Sequence, residues 1–469
     1  MKHLPLFLLL GASPAAFAQV PTGASPAVLS LSGDWGGALG PLTLTAHLQD
    51  PPGGPRSGTL DVPAQNAKGL PLQLSTKADS VYLTLSVANA RFAGRRAPNG
   101  QALVGEWQQG GRKLPLTFNR LSAEAAAAAA AGPARPQTPR GPFPYQAQEV
   151  AFTNQSAGIK LAGTLTTPAG KGPFPAVVLL TGSGPEDRDE TLFGHKPFAV
   201  LADYLTRRGV AVLRFDDRGV DQSGGTLAGT TSADYAADAR AALAWLRTQP
   251  GINPRRVGLV GHSEGGTAAI LAAGQPLGPA MLVLLAAPGL PGDEMIVQQA
   301  LALARVQKTD SIQLIYIEDA QRQVISIIEQ TPDNAQVRAK LLPLLNMEGS
   351  TNPTRLAQVE AQIKQATSPG YRALLADRPA QTLAKVHCPV LALNGSKDVQ
   401  VVAAPNLAAI RQGLQAAGNK DVTTKELPSL NHLFQTATTG SPAEYATNTE
   451  TFAPAALQAI GDWLVAHGK

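Results

Sequence analysis

The hydrophobic pattern changes character twice along the chain. Between residues 42 and 118, apolar and polar positions alternate in short runs: Leu42–Leu48, Gly58–Val62, Leu70–Leu74, Val81–Val87, Ala102–Trp107 and Leu114–Phe118. Each run is bounded by Gly, Pro, Asn or Asp, and period two between turn residues marks half-buried strands. The spacing predicts a small all-β domain over residues 19–122, a barrel or a sandwich, with Trp35 and Trp107 as core anchors. His47 is the one histidine in this stretch and has no acidic neighbour in sequence. Residues 123–145 then read as an Ala/Pro-rich linker. Ala125–Ala131 suits a short helix, and Pro133, Pro136, Pro139, Pro142 and Pro144 keep the remainder extended and semi-rigid.

From residue 146 to the end the pattern is α/β. Glu149–Phe152 and Lys160–Thr164 read as an opening hairpin, and Ala176–Leu180 is an unbroken apolar run, as a strand covered on both faces requires. Val210–Phe215, Val257–Val260, Met281–Ala286, Val390–Leu393 and Val422–Leu427 bring the count to eight strands. Helical periods at Lys196–Arg208 and Ser232–Thr248 alternate with them, which implies a doubly wound, mostly parallel sheet. Between Pro291 and Pro379 the strand signal stops. Asp310–Glu329 places Leu314, Ile317, Val324, Ile325 and Ile328 on one helical face. Residues 290–380 are therefore expected to form a helical cap over the C-terminal ends of the strands, where such sheets bind ligands.

Composition narrows the class. A chain of 469 residues with 44% hydrophobic and 16% charged residues is globular and large enough for two or three domains. Its formal net charge is +5, with Lys and Arg scattered, so no nucleic-acid surface is expected. Residues 1–18 have the form of a signal peptide: Lys2 and His3, the apolar run Leu4–Leu10, and Ala16-Phe17-Ala18 before Gln19. No other segment is apolar for long enough to cross a bilayer. The expectation is an exported protein, periplasmic or secreted, with no stable membrane span after signal removal. The lone Cys388 can form no intrachain disulfide and, beside Pro389 at a strand start, reads as a buried structural residue. No His/Cys/Asp cluster has metal-ligand spacing, and no cofactor is expected.

The chemistry centres on Gly261-His262-Ser263-Glu264-Gly265, which follows the strand at Val257 and precedes a small-residue helix. This strand–Gly-x-Ser-x-Gly–helix pattern is the nucleophile elbow. Serine needs a base, usually a histidine oriented by a carboxylate, and on such a sheet the chain order is serine, acid, histidine. Seven histidines can be sorted by place. His3 and His47 lie in other regions, His195 precedes the elbow, and His387 begins a strand. His467 is at the C-terminus, and His262 adjoins Ser263, so that its side chain is expected to point away. His432, in the loop after the last strand, remains. Asp398 follows the strand Val390–Leu393 through Gly395-Ser396-Lys397 and is the acid. The oxyanion donors are expected to be the backbone N–H of Glu264 and that of Ser183, in Thr181-Gly182-Ser183-Gly184-Pro185 after the Ala176–Leu180 strand. That loop lacks the Gly-Lys-Ser/Thr ending of a phosphate-binding loop.

Four stretches together resemble the EstD-like bacterial carboxylesterases of the α/β-hydrolase superfamily: Gly182–Asp189, Phe215–Val220, Gly261–Gly266 and Leu430–Phe434. The likeness runs from about residue 146 to the end. Gly105–Gly110 and Leu114–Leu116 resemble the domain that precedes many of these esterases. The resemblance implies an α/β-hydrolase fold and a cofactor-free serine esterase, with Ser263 as nucleophile, Asp398 as acid and His432 as base. Asp221 stands where the family usually has a glycine, and Gly370 where it tends to have a tryptophan beside the cap. Arg218 is expected to pair with a loop carboxylate near the site. Three readings follow: an exported esterase acting on short-chain carboxylic esters, an exported aminopeptidase or acyl transferase with the same triad, and a non-catalytic surface-binding protein. For the second, Glu264 and the acidic loop Glu186–Glu190 are the candidate amine anchors.

Overall fold

The computed structural model describes residues 30–469 apart from 41, 63–66, 110–111, 132–133, 346 and 348–352. The stretch Met1–Ala18, read above as a signal peptide, and residue Gly110 lie outside the described residues. Among the described residues two compact units are present: those up to Ala134 together with 353–359, and those from Arg135 to Met347 together with Glu360–Lys469.

In the first unit eight antiparallel strands close into a barrel: β1 (Gly33–Leu39), β2 (Leu42–Gln49), β3 (Ser57–Val62), β4 (Ala67–Lys77), β5 (Ser80–Leu85), β6 (Ala90–Arg96), β7 (Ala102–Gln109) and β8 (Arg112–Arg120). Alternation drives it: along β5, Val81, Leu83 and Leu85 point inward while Ser80, Tyr82 and Thr84 do not. Trp35 and Trp107 are both buried, and Phe92 meets Phe118 edge to face at 5.2 Å. Eight strands leave an interior that side chains fill. Two strands escaped the sequence pattern. In β1, Gly33, Gly36 and Gly37 blank the apolar signal, and in β6 Arg91, Arg95 and Arg96 surround the buried Phe92. His47 does have acidic neighbours, supplied across the sheet: its Nδ1 lies 2.6 Å from Asp34 and its Nε2 3.3 Å from Asp61. Helix α1 (Ala123–Ala131) follows.

The second unit is built on a mixed eight-stranded sheet: β9 (Gln146–Asn154), β10 (Ile159–Thr167), β11 (Phe174–Leu180), β12 (Ala211–Phe215), β13 (Ile252–His262), β14 (Leu282–Leu285), β15 (Val390–Gly395) and β16 (Val422–Leu427). Their order is β16-β15-β14-β13-β11-β12-β10-β9. β10 pairs antiparallel with β9 and β12, and every other neighbouring pair is parallel. Helices cover both faces: α3 (Ser232–Leu246), α4 (Glu264–Ala273) and α11 (Ala403–Ala416) on one, α2 (Pro197–Arg207) and α12 (Pro454–His467) on the other. The continuous apolar run of β11 serves both, with Ala176, Val178 and Leu180 on the first side and Val177 and Leu179 on the second.

Between β14 and β15 the described residues are helical: α5 (Gly292–Val306), α6 (Ser311–Gln330), α7 (Asn334–Leu344), α8 (Pro353–Ala366), α9 (Pro369–Ala376) and α10 (Pro379–Leu383). Asp310 caps α6 by accepting the N–H groups of Ile312 and Gln313. Gly370 opens α9 so close to the segment before α3 that a Cβ there would meet the Thr230 carbonyl at 2.8 Å. Among the described residues no helix is long and apolar enough to cross a membrane.

Instead of running straight, the proline-rich stretch bends over residues 134–145, with Thr138 N–H donating to the Arg135 carbonyl (3.1 Å), and its side chains are engaged. The Arg135 guanidinium donates to the carbonyls of Phe193 (2.7 Å), Ala446 (2.9 Å) and Asn448, and Gln137 exchanges hydrogen bonds with the backbone of Phe452 (2.7 and 3.0 Å). These contacts hold the long loop that follows His432. Against that loop His195 is buried, with Nε2 donating to the Tyr445 carbonyl (3.0 Å) and Nδ1 therefore accepting from Thr451 Oγ1 (2.8 Å). Burial and the nearby Arg135 charge lower its pKa from 6.5 to about 4. Because the folded-state value is depressed, the unfolded chain takes up the proton first, and stability is lost as pH falls from 6.5 toward about 4. A His195→Gln variant is expected to lack this component. Thermal midpoints of the two proteins, measured against pH, should differ most near neutrality and converge on acidification.

Candidate active site

Four loops at the C-terminal ends of neighbouring strands converge here. β13 ends at His262, and Ser263 follows with φ 52° and ψ −119°, a conformation that a residue with a Cβ rarely adopts. It is held there by Ser263 N–H donating to the Leu285 carbonyl (2.9 Å) and Gly266 N–H donating to the Ser263 carbonyl (2.9 Å). The turn is possible because neighbouring backbones come too close for side chains. A Cβ on Gly261 would lie 2.2 Å from the Gly265 carbonyl, and one on Gly265 2.2 Å from the Leu180 carbonyl.

Asp398 sits in the turn after β15, and His432 in the loop after β16. Asp398 Oδ2 accepts from His432 Nδ1 (2.8 Å), while Oδ1 accepts the N–H groups of Gln400 (2.8 Å) and Val401 (2.9 Å). Both carboxylate oxygens are thus satisfied, and both side chains are buried. Asn431, fully buried, fixes the His432 loop by accepting from Leu433 N–H (3.0 Å) and Gln435 N–H (2.9 Å). With Nδ1 engaged, Nε2 is the His432 nitrogen left for proton transfer.

Of the two oxyanion candidates, Glu264 begins α4 directly after Ser263, so its N–H belongs to the first turn of that helix. Burial raises the pKa of its carboxyl against the hydrogen bond donated by Ser232 Oγ (2.8 Å). Ser183 lies in the loop after β11. The preceding N–H, of Gly182, is taken by Glu190 Oε1 (2.7 Å), which leaves Ser183 as the next donor along that loop. The loop is anchored through Arg188, which grips Asp216 with Nε (2.9 Å) and Nη2 (2.7 Å), and through Asp189, which pairs with Lys196 (3.0 Å) and Arg214.

The expectation that the His262 side chain points away from the site is corrected. Its ring is buried 4.8 Å from the His432 ring, with Nδ1 2.7 Å from Glu190 Oε1 and Nε2 2.9 Å from the His432 carbonyl oxygen. Burial alone would lower its pKa, but the Glu190 charge and the hydrogen bonds that the ring donates to Glu190 and to the His432 carbonyl raise it above the ordinary value. Sequence reasoning set His262 aside because adjacency to Ser263 says nothing of what lies beneath it, and it read Glu190 only within an acidic loop offered as an amine anchor, not as the partner of His262. Arg218 also differs from expectation: it braces helix α3, through Asp238 (2.7 and 2.9 Å) and Asp234, and no loop carboxylate. Asp221 takes φ 47°, the left-handed conformation that a glycine would supply at that turn. Among the described residues no cluster of His, Cys, Asp and Glu could hold a metal ion.

A Gly265→Ala change is expected to force α4 away from β11. The clash is with backbone, so it should destabilise the second unit by about 3 kcal/mol or more. An unchanged denaturant midpoint would show that the elbow has more room than these distances allow.

The profile of the family described as X-Pro dipeptidyl-peptidase (S15 family) matches residues 157–423, more than half of the chain. Esterase EstD of Thermotoga maritima is 39% identical over 105 residues, 22% of this chain and 25% of that protein. An uncharacterized protein of Mycobacterium tuberculosis is 37% identical over 128 residues, 27% of this chain and 41% of its own length. The chain thus spans between a quarter and two fifths of the length of these curated relatives. Among solved structures, an esterase of Pyrococcus furiosus aligns over 72% of this chain and 98% of its own, with a TM-score of 0.43 and 14% identity. The likeness to EstD read from the motifs is present over part of the chain, and by the extent of the family match the chain belongs to the X-Pro dipeptidyl-peptidase (S15) family.

Proposed function

We propose that the protein is an exported serine carboxylesterase that hydrolyses short-chain carboxylic esters through Ser263, Asp398 and His432. The observation that carries this reading is the buried 2.8 Å contact of Asp398 with His432 Nδ1, in a unit whose elbow holds Ser263 in a strained turn. Ser263 Oγ attacks the ester carbonyl as His432 Nε2 takes its proton. The same nitrogen then protonates the leaving alkoxide, leaving an acyl-enzyme on Ser263. Water, deprotonated by His432, attacks that acyl group and releases the acid. The oxyanion formed in both steps would be met by the N–H groups of Glu264 and Ser183, each such donor being worth about 3 kcal/mol. The name of the relative EstD, an esterase, supports the choice of bond.

The second reading, cleavage of an amide beside a free amine, is favoured by the dipeptidyl-peptidase description of the matching family. Such a substrate needs a carboxylate free to hold its amine. Within the loop proposed for that task, Glu190 is committed to Gly182 and His262, and Asp189 to Lys196 and Arg214. The Asp187 carboxylate accepts the N–H groups of Asp189 (3.1 Å) and Thr191 (2.9 Å). Glu264, the other candidate anchor, accepts from Ser232 Oγ (2.8 Å), and these commitments of Glu190, Asp189, Asp187 and Glu264 weigh toward the ester. We read the helical insertion between β14 and β15 as a cap, and a cap of that kind leaves a modest pocket, hence short acyl chains. Export rests on the pattern of residues 1–18, and the mature chain is expected to begin at Gln19 when sequenced from the exported fraction.

Wild-type protein should turn over short nitrophenyl esters much faster than matched anilides. Ser263→Ala should lose roughly a millionfold in kcat and no longer react with a fluorophosphonate probe. Substantial ester turnover by Ser263→Ala would remove Ser263 from the mechanism, and faster anilide cleavage would favour the peptidase.

A further inference from the structure

The buried ring of His262 presents both nitrogens to atoms that can only accept when Glu190 is ionised: the Glu190 carboxylate at 2.7 Å and the His432 backbone carbonyl at 2.9 Å. A neutral imidazole has one N–H and would leave one of these contacts without a proton. We propose that His262 is a buried imidazolium, held by Glu190, and that this ion pair is the positioning device that locks the nucleophile, base and oxyanion loops into one geometry. The kinetic part of the proposal rests on the esterase reading; the charge on His262 does not.

The pair reaches all three loops. His262 is the residue before Ser263 and the last of β13. Its Nε2 donates to the carbonyl of His432, so the base is held through its own backbone while its ring is held by Asp398. Glu190 Oε1 accepts from both His262 and Gly182 N–H, the amide just before Ser183, and so ties the oxyanion loop to the same cation. Glu190 is itself buried, with φ 53°, within the loop between β11 and α2 that Arg188 and Asp189 anchor at β12.

The ionisable groups around the cation are consistent with its charge. Glu190 faces it from the loop after β11, Asp398 from the loop after β15, and the His432 ring from the loop after β16. Beyond Glu190 lie Glu186 and Asp217; burial pushes the Asp217 carboxyl well up, and the neighbouring Glu186 and Glu190 charges add to this. An imidazolium balanced by the Glu190 carboxylate satisfies these groups. The conservative change Glu190→Gln keeps the shape and one acceptor but removes the charge. His262 would then keep a single proton, and either the introduced amide or the His432 carbonyl would face a bare ring nitrogen.

The test uses the full chain labelled with 15N-histidine at about pH 8, where an ordinary histidine is neutral. The expected spectrum contains one histidine with two slowly exchanging ring N–H protons, absent in His262→Gln and reduced to one proton in Glu190→Gln. Kinetically, Glu190→Gln should lower kcat roughly ten- to a hundredfold with little change in KM, and Glu190→Asp, which keeps the charge, should recover part of the loss. A wild-type spectrum in which no buried histidine carries two ring protons overturns the proposal, and this measurement needs no variant to fold. A folded Glu190→Gln with undiminished kcat overturns the positioning role. Absence of ester turnover by the wild type would instead remove the esterase reading, leaving the spectrum to decide the charge on His262.

Discussion

The candidate site depends on how closely the first turn of α4 approaches the end of β11. At Gly265 there is no room for a Cβ beside the Leu180 carbonyl, and at Gly261 none beside Gly265 itself. Contact of backbone with backbone fixes the angle at which β13 turns into α4, and that angle forces Ser263 to a positive φ. The parallel register of β11 against β13, with Leu180 opposite Gly261, then sets the loop that carries Ser183 beside the elbow. β15 and β16 pair in the same direction, so the loops carrying Asp398 and His432 leave from the same edge.

Such an edge gathers polar groups in a place largely closed to water, and each must find a partner there. Asp398 meets this by dividing its oxygens between two backbone amides and His432. Glu190 meets it by serving His262 and Gly182 together. Arg188 and Asp216 neutralise one another where the loop crosses β12. A buried charge whose partner is removed typically destabilises by several kcal/mol. The same pairings that keep the unit folded therefore also fix where Asp398, His432 and the residues before and after Ser263 stand.

Much of this was legible in the chain. The apolar run at Ala176–Leu180 and its counterparts at Val257 and Val390 carry enough hydrophobicity to declare strands covered on both faces. Gly-x-Ser-x-Gly marks the elbow because only glycines tolerate its crowding. Asp398 and His432 could be reached by elimination, since few histidines and few strand-end carboxylates follow Ser263, and the two stand 2.8 Å apart. The strands Gly33–Leu39 and Ala90–Arg96 were not legible: glycines and arginines hide a barrel strand whose inward residues, such as Trp35 and Phe92, are few.

What the sequence determined by itself is whatever a periodic pattern or a sterically obligatory residue encodes locally: strand and helix order, the elbow, and the insertion of helices between β14 and β15. Pairings across the fold were decided by tertiary structure alone. His262 adjoins Ser263 in sequence, yet its partners are 72 and 170 residues away. Arg135 lies in a proline-rich stretch that reads as a linker, yet it is satisfied by carbonyls 311 and 313 residues downstream. Strand pairing and helix packing bring such groups together, and the cost of leaving a buried charge or N–H without a partner then selects which of them bond.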